Sequence, residues 1–282
     1  MNFTQSVWPE PILCAPLIRK VDERLIDLLK GLSPEEWELQ TISPAWKVRD
    51  VAAHLLDTAL RKLSIARDCY MPQSVELKTP RDLVDLVNRL NHEGVQILRR
   101  LSSPVLIDLM AITCGQLAAF HEALDPFASA AFGVSWAGET TSLNWFDTAR
   151  ELTERWHHQQ QIREATNRPG IMVRELYHPV LDCFLRGLPH CFSMIATELG
   201  TTVEVKITGD SGGTWLLRKN STAWSLMPGL PSEPSARAII PETLAWKLFT
   251  KGIKQDDAYT SIQLEGDLAL ARQVCELTSI VA

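Results

Sequence analysis

Between Ala15 and about Arg163 the apolar residues return every three or four positions, whereas beyond Gly200 they alternate. One kind of element cannot satisfy both periods, so the chain divides into a helical part and a part with strands. Its 282 residues suffice for two domains of roughly 150 residues each.

The first helix is expected over 15–32, with Leu17, Val21, Leu25, Ile26 and Leu29 on one face and its end near Gly31. A second is expected over 48–68, carrying Val48, Val51, Leu55 and Ala59, with Pro72 barring any continuation. Thr79-Pro80 reads as a capping residue followed by a proline tolerated in the first turn, which starts a third helix, and Ser103-Pro104 opens a further one running to about Leu124. Residues 125–144 hold no period, and an unstructured stretch of that length is uncommon unless it serves function. A helix over 145–165 follows and stops at Asn167-Arg168-Pro169-Gly170; another over 177–199 is kinked near Pro189.

After Gly200, Val203, Val205 and Ile207 alternate with Glu204 and Lys206, and the run Gly209 to Gly213 turns the chain into Trp215-Leu216-Leu217. Short strands over 223–227, 236–240 and 261–265, with helices over 241–250 and 267–280, complete an α+β module. The expected fold is mainly α: helical domain 1–170, connecting helix 171–200, small α+β domain 201–282.

Composition narrows the partners. Lys and Arg number 28 against 34 Asp and Glu, for a net charge of −6, and the basic residues are scattered, which excludes a phosphate-neutralising stripe and makes nucleic acid an unexpected partner. The most apolar run, 105–120, is broken by Asp108, so no membrane span is expected. The opening MNFTQSVWPEP lacks the basic and apolar stretches of an export signal, which leads to the expectation of a cytoplasmic, reducing location without disulfides. The six cysteines include no C-x-x-C pair and read as small buried residues.

Two places bear donors suited to a cation. In ELTERWHHQQQ, Glu154 and His158 are four apart, about 40° from one another around a helix, so both leave the same face. His157 lies about 60° from Glu154 in the other sense, and spacing leaves that pairing open. His54, in WKVRDVAAHLL, stands at the margin of the apolar stripe of its helix, where an imidazole reaches into a bundle. One carboxylate and two imidazoles from facing helices would leave coordination positions open, as in catalytic zinc sites. Against this, Glu154 and His158 lie opposite Leu152 and Trp156, beside Asp147, Glu151 and Gln161, a face that periodicity assigns to solvent. His92, His121, His178 and His190 have no partner at ligand spacing and read as surface or packing residues. Trp136, Trp145 and Trp156 could wall a dry cavity, although ordinary core packing explains them better. Nucleotide-binding glycine loops, G-x-S-x-G and H-E-x-x-H are absent from the sequence.

The runs WKVRDVAAHL (46–55), SWAGE (135–139) and ERWHHQQQIR (154–163) resemble the mycothiol-dependent maleylpyruvate isomerase family, and GDLALA (266–271) is similar to the sterol-carrier-like domain that accompanies it. This resemblance implies a DinB-like four-helix bundle holding a divalent metal, usually zinc, through His54, Glu154 and His158, with His157 outside the site. It also implies that a low-molecular-weight thiol, mycothiol or another, is activated as a thiolate in the open position. In an isomerase that thiolate adds to an activated cis double bond, the resulting single bond rotates, and the thiol departs; a transferase keeps the thiol on its electrophile. The expected partners are thus a small-molecule electrophile and a thiol, and a homodimer is compatible with the chain. The family's arginine near the C-terminus has no clear counterpart, since the chain ends ELTSIVA and Arg272 is the nearest arginine. A non-catalytic protein that encloses a small apolar ligand, with a structural metal or none, is the alternative, and metal-activated hydrolysis a third reading of the same donors.

Overall fold

The computed structural model describes residues 9–71, 78–229 and 233–281. The chain divides into two compact units: Cys14–Ala131, Leu143–Ile171 and Val281–Ala282 form one, and Met1–Leu13, Phe132–Ser142 and Met172–Ile280 the other.

The first unit is a helical bundle of α1 (Ala15–Lys30), α2 (Val48–Lys62), α3 (Pro80–Leu98), α4 (Ser103–Ala123) and α5 (Asn144–Ala165). The expected helix beyond Lys62 loosens into a π-helical turn over Leu63–Arg67, and the stop assigned to Pro72 lies outside the described residues. At the start of α3, the Thr79 hydroxyl accepts from Asp82 N–H at 3.2 Å and the Asp82 carboxylate accepts from Thr79 N–H at 2.8 Å, a reciprocal cap. Asp50 does related work for α2, accepting from Lys47 N–H at 3.1 Å and from both ends of the Arg99 guanidinium at 2.7 and 2.9 Å, which ties α2 to the residue after α3. Leu25, Leu29, Val51, Leu55, Leu106, Met110 and Ile162 pack into one apolar core. Helix α4 is long and apolar enough to cross a membrane by length and composition, yet it lays Leu106, Ile107, Met110, Cys114 and Leu117 into the bundle.

Helices α2 and α5 run antiparallel: His54 meets Glu154, and Lys62, eight residues later, meets Asp147, seven residues earlier. That register decides what the interior of the bundle contains. Asp147, Glu151, His158 and Gln161, the face that periodicity assigns to solvent, are all buried. Burial is tolerable because the charges answer one another: Asp147 takes Lys62 and Arg150, and Arg155, fully buried, pairs with Asp22 and donates to the Leu55 carbonyl at 3.3 Å.

The second unit carries the sheet, in strand order β3-β2-β1-β4-β5, with β1 (Thr202–Thr208), β2 (Gly213–Lys219), β3 (Trp224–Met227), β4 (Ala236–Pro241) and β5 (Gln263–Gly266). Only β1 and β4 pair in parallel; the other neighbours are antiparallel. Val203, Val205 and Ile207 of β1 and Ala238 and Ile240 of β4 are buried, as the alternation requires. Residues 171–200 form two helices, α6 (Arg174–Leu185) and α7 (Leu188–Cys191), instead of a single helix reaching Leu199. The break falls at Gly187, where a side chain would meet Leu277 at 2.8 Å and Trp136 at 3.2 Å, and at Pro189, which opens a new first turn. Further on come α8 (Glu242–Phe249), α9 (Gln255–Ala258), which the sequence pattern did not reveal, and α10 (Leu268–Gln273), which stops well short of Ile280. All six cysteines are free.

Candidate metal centre

Three donor-bearing side chains converge inside the bundle. His54 of α2 and Glu154 and His158 of α5 offer ligand atoms that all lie within 4.8 Å of one another. His54 Nε2 stands 2.9 Å and His158 Nε2 3.4 Å from the same oxygen, Glu154 Oε1. Ligands around a tetrahedral zinc, with bonds of roughly 2.0–2.1 Å, are about 3.4 Å apart, so the three donors already stand near the spacing that one cation imposes. The imidazoles are buried, at 3% and 9% side-chain exposure, while the Glu154 carboxylate is 27% exposed and gives the cluster its opening to solvent.

The outer nitrogens of the two rings have unlike surroundings. His158 Nδ1 meets Gln161 Oε1 at 2.9 Å; an amide oxygen only accepts, so Nδ1–H donates to it, and Nε2 is the nitrogen that faces Glu154. Histidines that ligate metals are held in this way by an outer partner. His54 Nδ1 is buried with no hydrogen-bond partner among the described residues. His157 donates Nδ1–H to the Thr153 carbonyl at 2.8 Å and is not one of the three residues whose donor atoms converge.

Electrostatics prepare the same groups. Burial, and then the neighbouring His158, lower the His54 pKa to about 4, which keeps the ring neutral at pH 7, with one nitrogen free to offer a lone pair. Loss of solvent would raise the Glu154 pKa, but the charge of His158 and the hydrogen bonds from both histidines prevail and hold the carboxyl well below its ordinary value. The sequence pattern did not single out Trp46, whose ring centroid lies 4.5 Å from that of His54 and 5.6 Å from that of His158, walling one side of the cluster. Of the three tryptophans considered as cavity walls, Trp156 donates to the Ile171 carbonyl and Trp145 stacks on Phe146, while Trp136 belongs to the other unit. His121 is buried against the Thr148 hydroxyl, His178 stacks on Trp215, and His92 and His190 are exposed. Arg272 lies over the Tyr259 ring at 5.8 Å in the C-terminal unit.

A helical bundle that presents two imidazoles and a carboxylate to one point, followed by a small five-stranded α+β unit, defines the class of protein. The chain belongs to the family of the mycothiol maleylpyruvate isomerase N-terminal domain, whose model matches residues 18–163, just over half of its length. Two solved structures share the fold: the mycothiol-dependent maleylpyruvate isomerase, at 10% identity and a TM-score of 0.51 over 84% of this chain and 88% of that one, and a histidine-to-alanine mutant of it, at 9% identity and 0.54 over 90% and 93%. No curated protein sequence matches the chain.

Proposed function

We propose that this protein is a metal-dependent enzyme in which His54, Glu154 and His158 hold one divalent ion, zinc being the expected one, and a low-molecular-weight thiol is used on an electrophilic small molecule. The observation that carries the reading is the convergence of three donors from two helices on a point with one solvent-facing side. Its chemistry fits the group: two imidazole nitrogens and one carboxylate form a donor set that leaves positions open on zinc. When bound, such an ion draws charge from a coordinated thiol, so that thiolate is present at neutral pH.

The chain's own residues do the rest. Gln161 orients the His158 ring, burial keeps His54 uncharged, and Glu154 stays anionic and reduces the net charge of the filled site. Trp46 closes one flank of the imidazoles. Family membership and the shared fold support mycothiol as the thiol and an isomerase-like reaction, in which the thiol is released again; a transferase would retain it in the product. A soluble, cytoplasmic enzyme follows from the same reading.

Elemental analysis of the purified protein should find about one divalent ion per chain, and none in the His54→Ala, His158→Ala double variant. Metal removal should abolish conjugation of the thiol to a generic electrophile. Unchanged metal content in the double variant defeats the metal site; full activity after chelation defeats the thiol chemistry; turnover without any thiol points to hydrolysis instead.

A further inference from the structure

A second feature of the bundle has no part in that chemistry. Arg24, Asp27 and Leu28 of α1, Arg163 near the end of α5, and the following loop, Asn167 to Gly170, line a concavity of about 620 Å³. Three guanidinium groups share it. Arg168 has its own counter-ion, donating to both oxygens of Glu36 at 3.0 and 2.9 Å. The other two lack one. Arg24 donates to the Gly170 carbonyl at 2.6 Å, and Arg163 to the carbonyls of Arg168, Pro169 and Arg24 at 3.2, 3.0 and 3.1 Å. No carboxylate pairs with either among the described residues, and Arg163, at 8% exposure, also has a buried Nε without a partner.

Carbonyls account for the geometry of Arg163, which latches the loop to the bundle, but they leave its full charge uncompensated. Cations at a helix C-terminus gain from the dipole, although that gain is modest and falls short of compensating two neighbouring guanidinium charges, one of them buried. A bound anion would compensate both, and Arg24, exposed and held through one contact, can swing a planar donor pair toward it. Asp27 works against an anion here, and has no ion-pair partner among the described residues.

We propose that this concavity is an oxyanion site, taking a phosphate or carboxylate group, with Arg24 as its direct donor and Arg163 as the buried charge behind it. The full-length protein is titrated calorimetrically with inorganic phosphate and, separately, with succinate, at an ionic strength held constant with chloride. Saturable binding of one probe, about tenfold weaker in Arg24→Gln and tighter in Asp27→Asn, with metal content unchanged in both variants, supports the site. The stronger probe identifies the ligand as phosphate-bearing or carboxylate-bearing. Binding that does not saturate, or that Arg24→Gln leaves intact, overturns it. Arg163→Gln is avoided because it also removes the loop latch.

Discussion

Helices α4 and α5 invert the ordinary relation between polarity and burial. Helix α4 is the apolar one, yet Val105, Leu109 and Ile112 lie exposed along it. Helix α5 carries three glutamines, two histidines and six charged side chains between Asp147 and Arg163, and nearly all of it is buried. Apolar surface is tolerated in water wherever it is not extensive, whereas buried charge is tolerated only where partners are supplied. The interior of this bundle is thus specified by pairing as much as by hydrophobicity, and pairing of this kind is what leaves two imidazoles and a carboxylate facing one another.

The sharpest way to break that contrast is to remove one partner of a buried pair. Asp22→Ala strands the Arg155 guanidinium inside the bundle, and the expected loss is about 3–5 kcal/mol of unfolding free energy in urea. If the loss is below about 1 kcal/mol, pairing does not hold α5 in place.

Acid should act next. Burial, and then the Lys62 charge, lower the His121 pKa to about 3, against 6.5 for the free side chain. Between those values the unfolded chain binds a proton that the folded chain refuses, so stability rises with pH across this window and is lost as pH falls from about 6.5 toward 3, by about 1.4 kcal/mol for each unit. Urea unfolding from pH 7 to 4 should show that slope, made shallower by His121→Leu; an unchanged slope removes His121 as its source.

A smaller effect is expected outside the donor set itself. Gln161→Leu deletes the acceptor that fixes the His158 tautomer, and metal affinity, measured by competition with a chelator, should fall about 10–100-fold while folding persists. An unaltered affinity would mean that His158 needs no orienting partner. On the other side of the contrast, Ile112→Ser on exposed α4 should shift stability by no more than about 0.5 kcal/mol, and a larger loss would show that this face is covered in solution.

Much of this architecture was legible in the residues. Thr79-Pro80 and Ser103-Pro104 mark the starts of α3 and α4, the Asn167 to Gly170 run ends α5, and the Val203 to Ile207 alternation marks β1. Helix-period spacing placed Glu154 and His158 on one face, and Gln161 shared that face, one turn beyond His158. Trp46 gave no signal as a site residue, because it precedes α2 and reaches His54 through the path of a loop rather than through a period. The solvent assignment of the polar face of α5 failed because periodicity counts apolar residues and has no means of counting partners on other helices.

The sequence by itself determined the segments and their order: local spacing, caps and breakers act over a few residues and are written in the chain. Tertiary structure decided which faces meet. The antiparallel register of α2 and α5, with His54 against Glu154 and Lys62 against Asp147, joins residues 100 and 85 positions apart respectively, and a polar group becomes either a solvated side chain or a candidate ligand according to what stands opposite it.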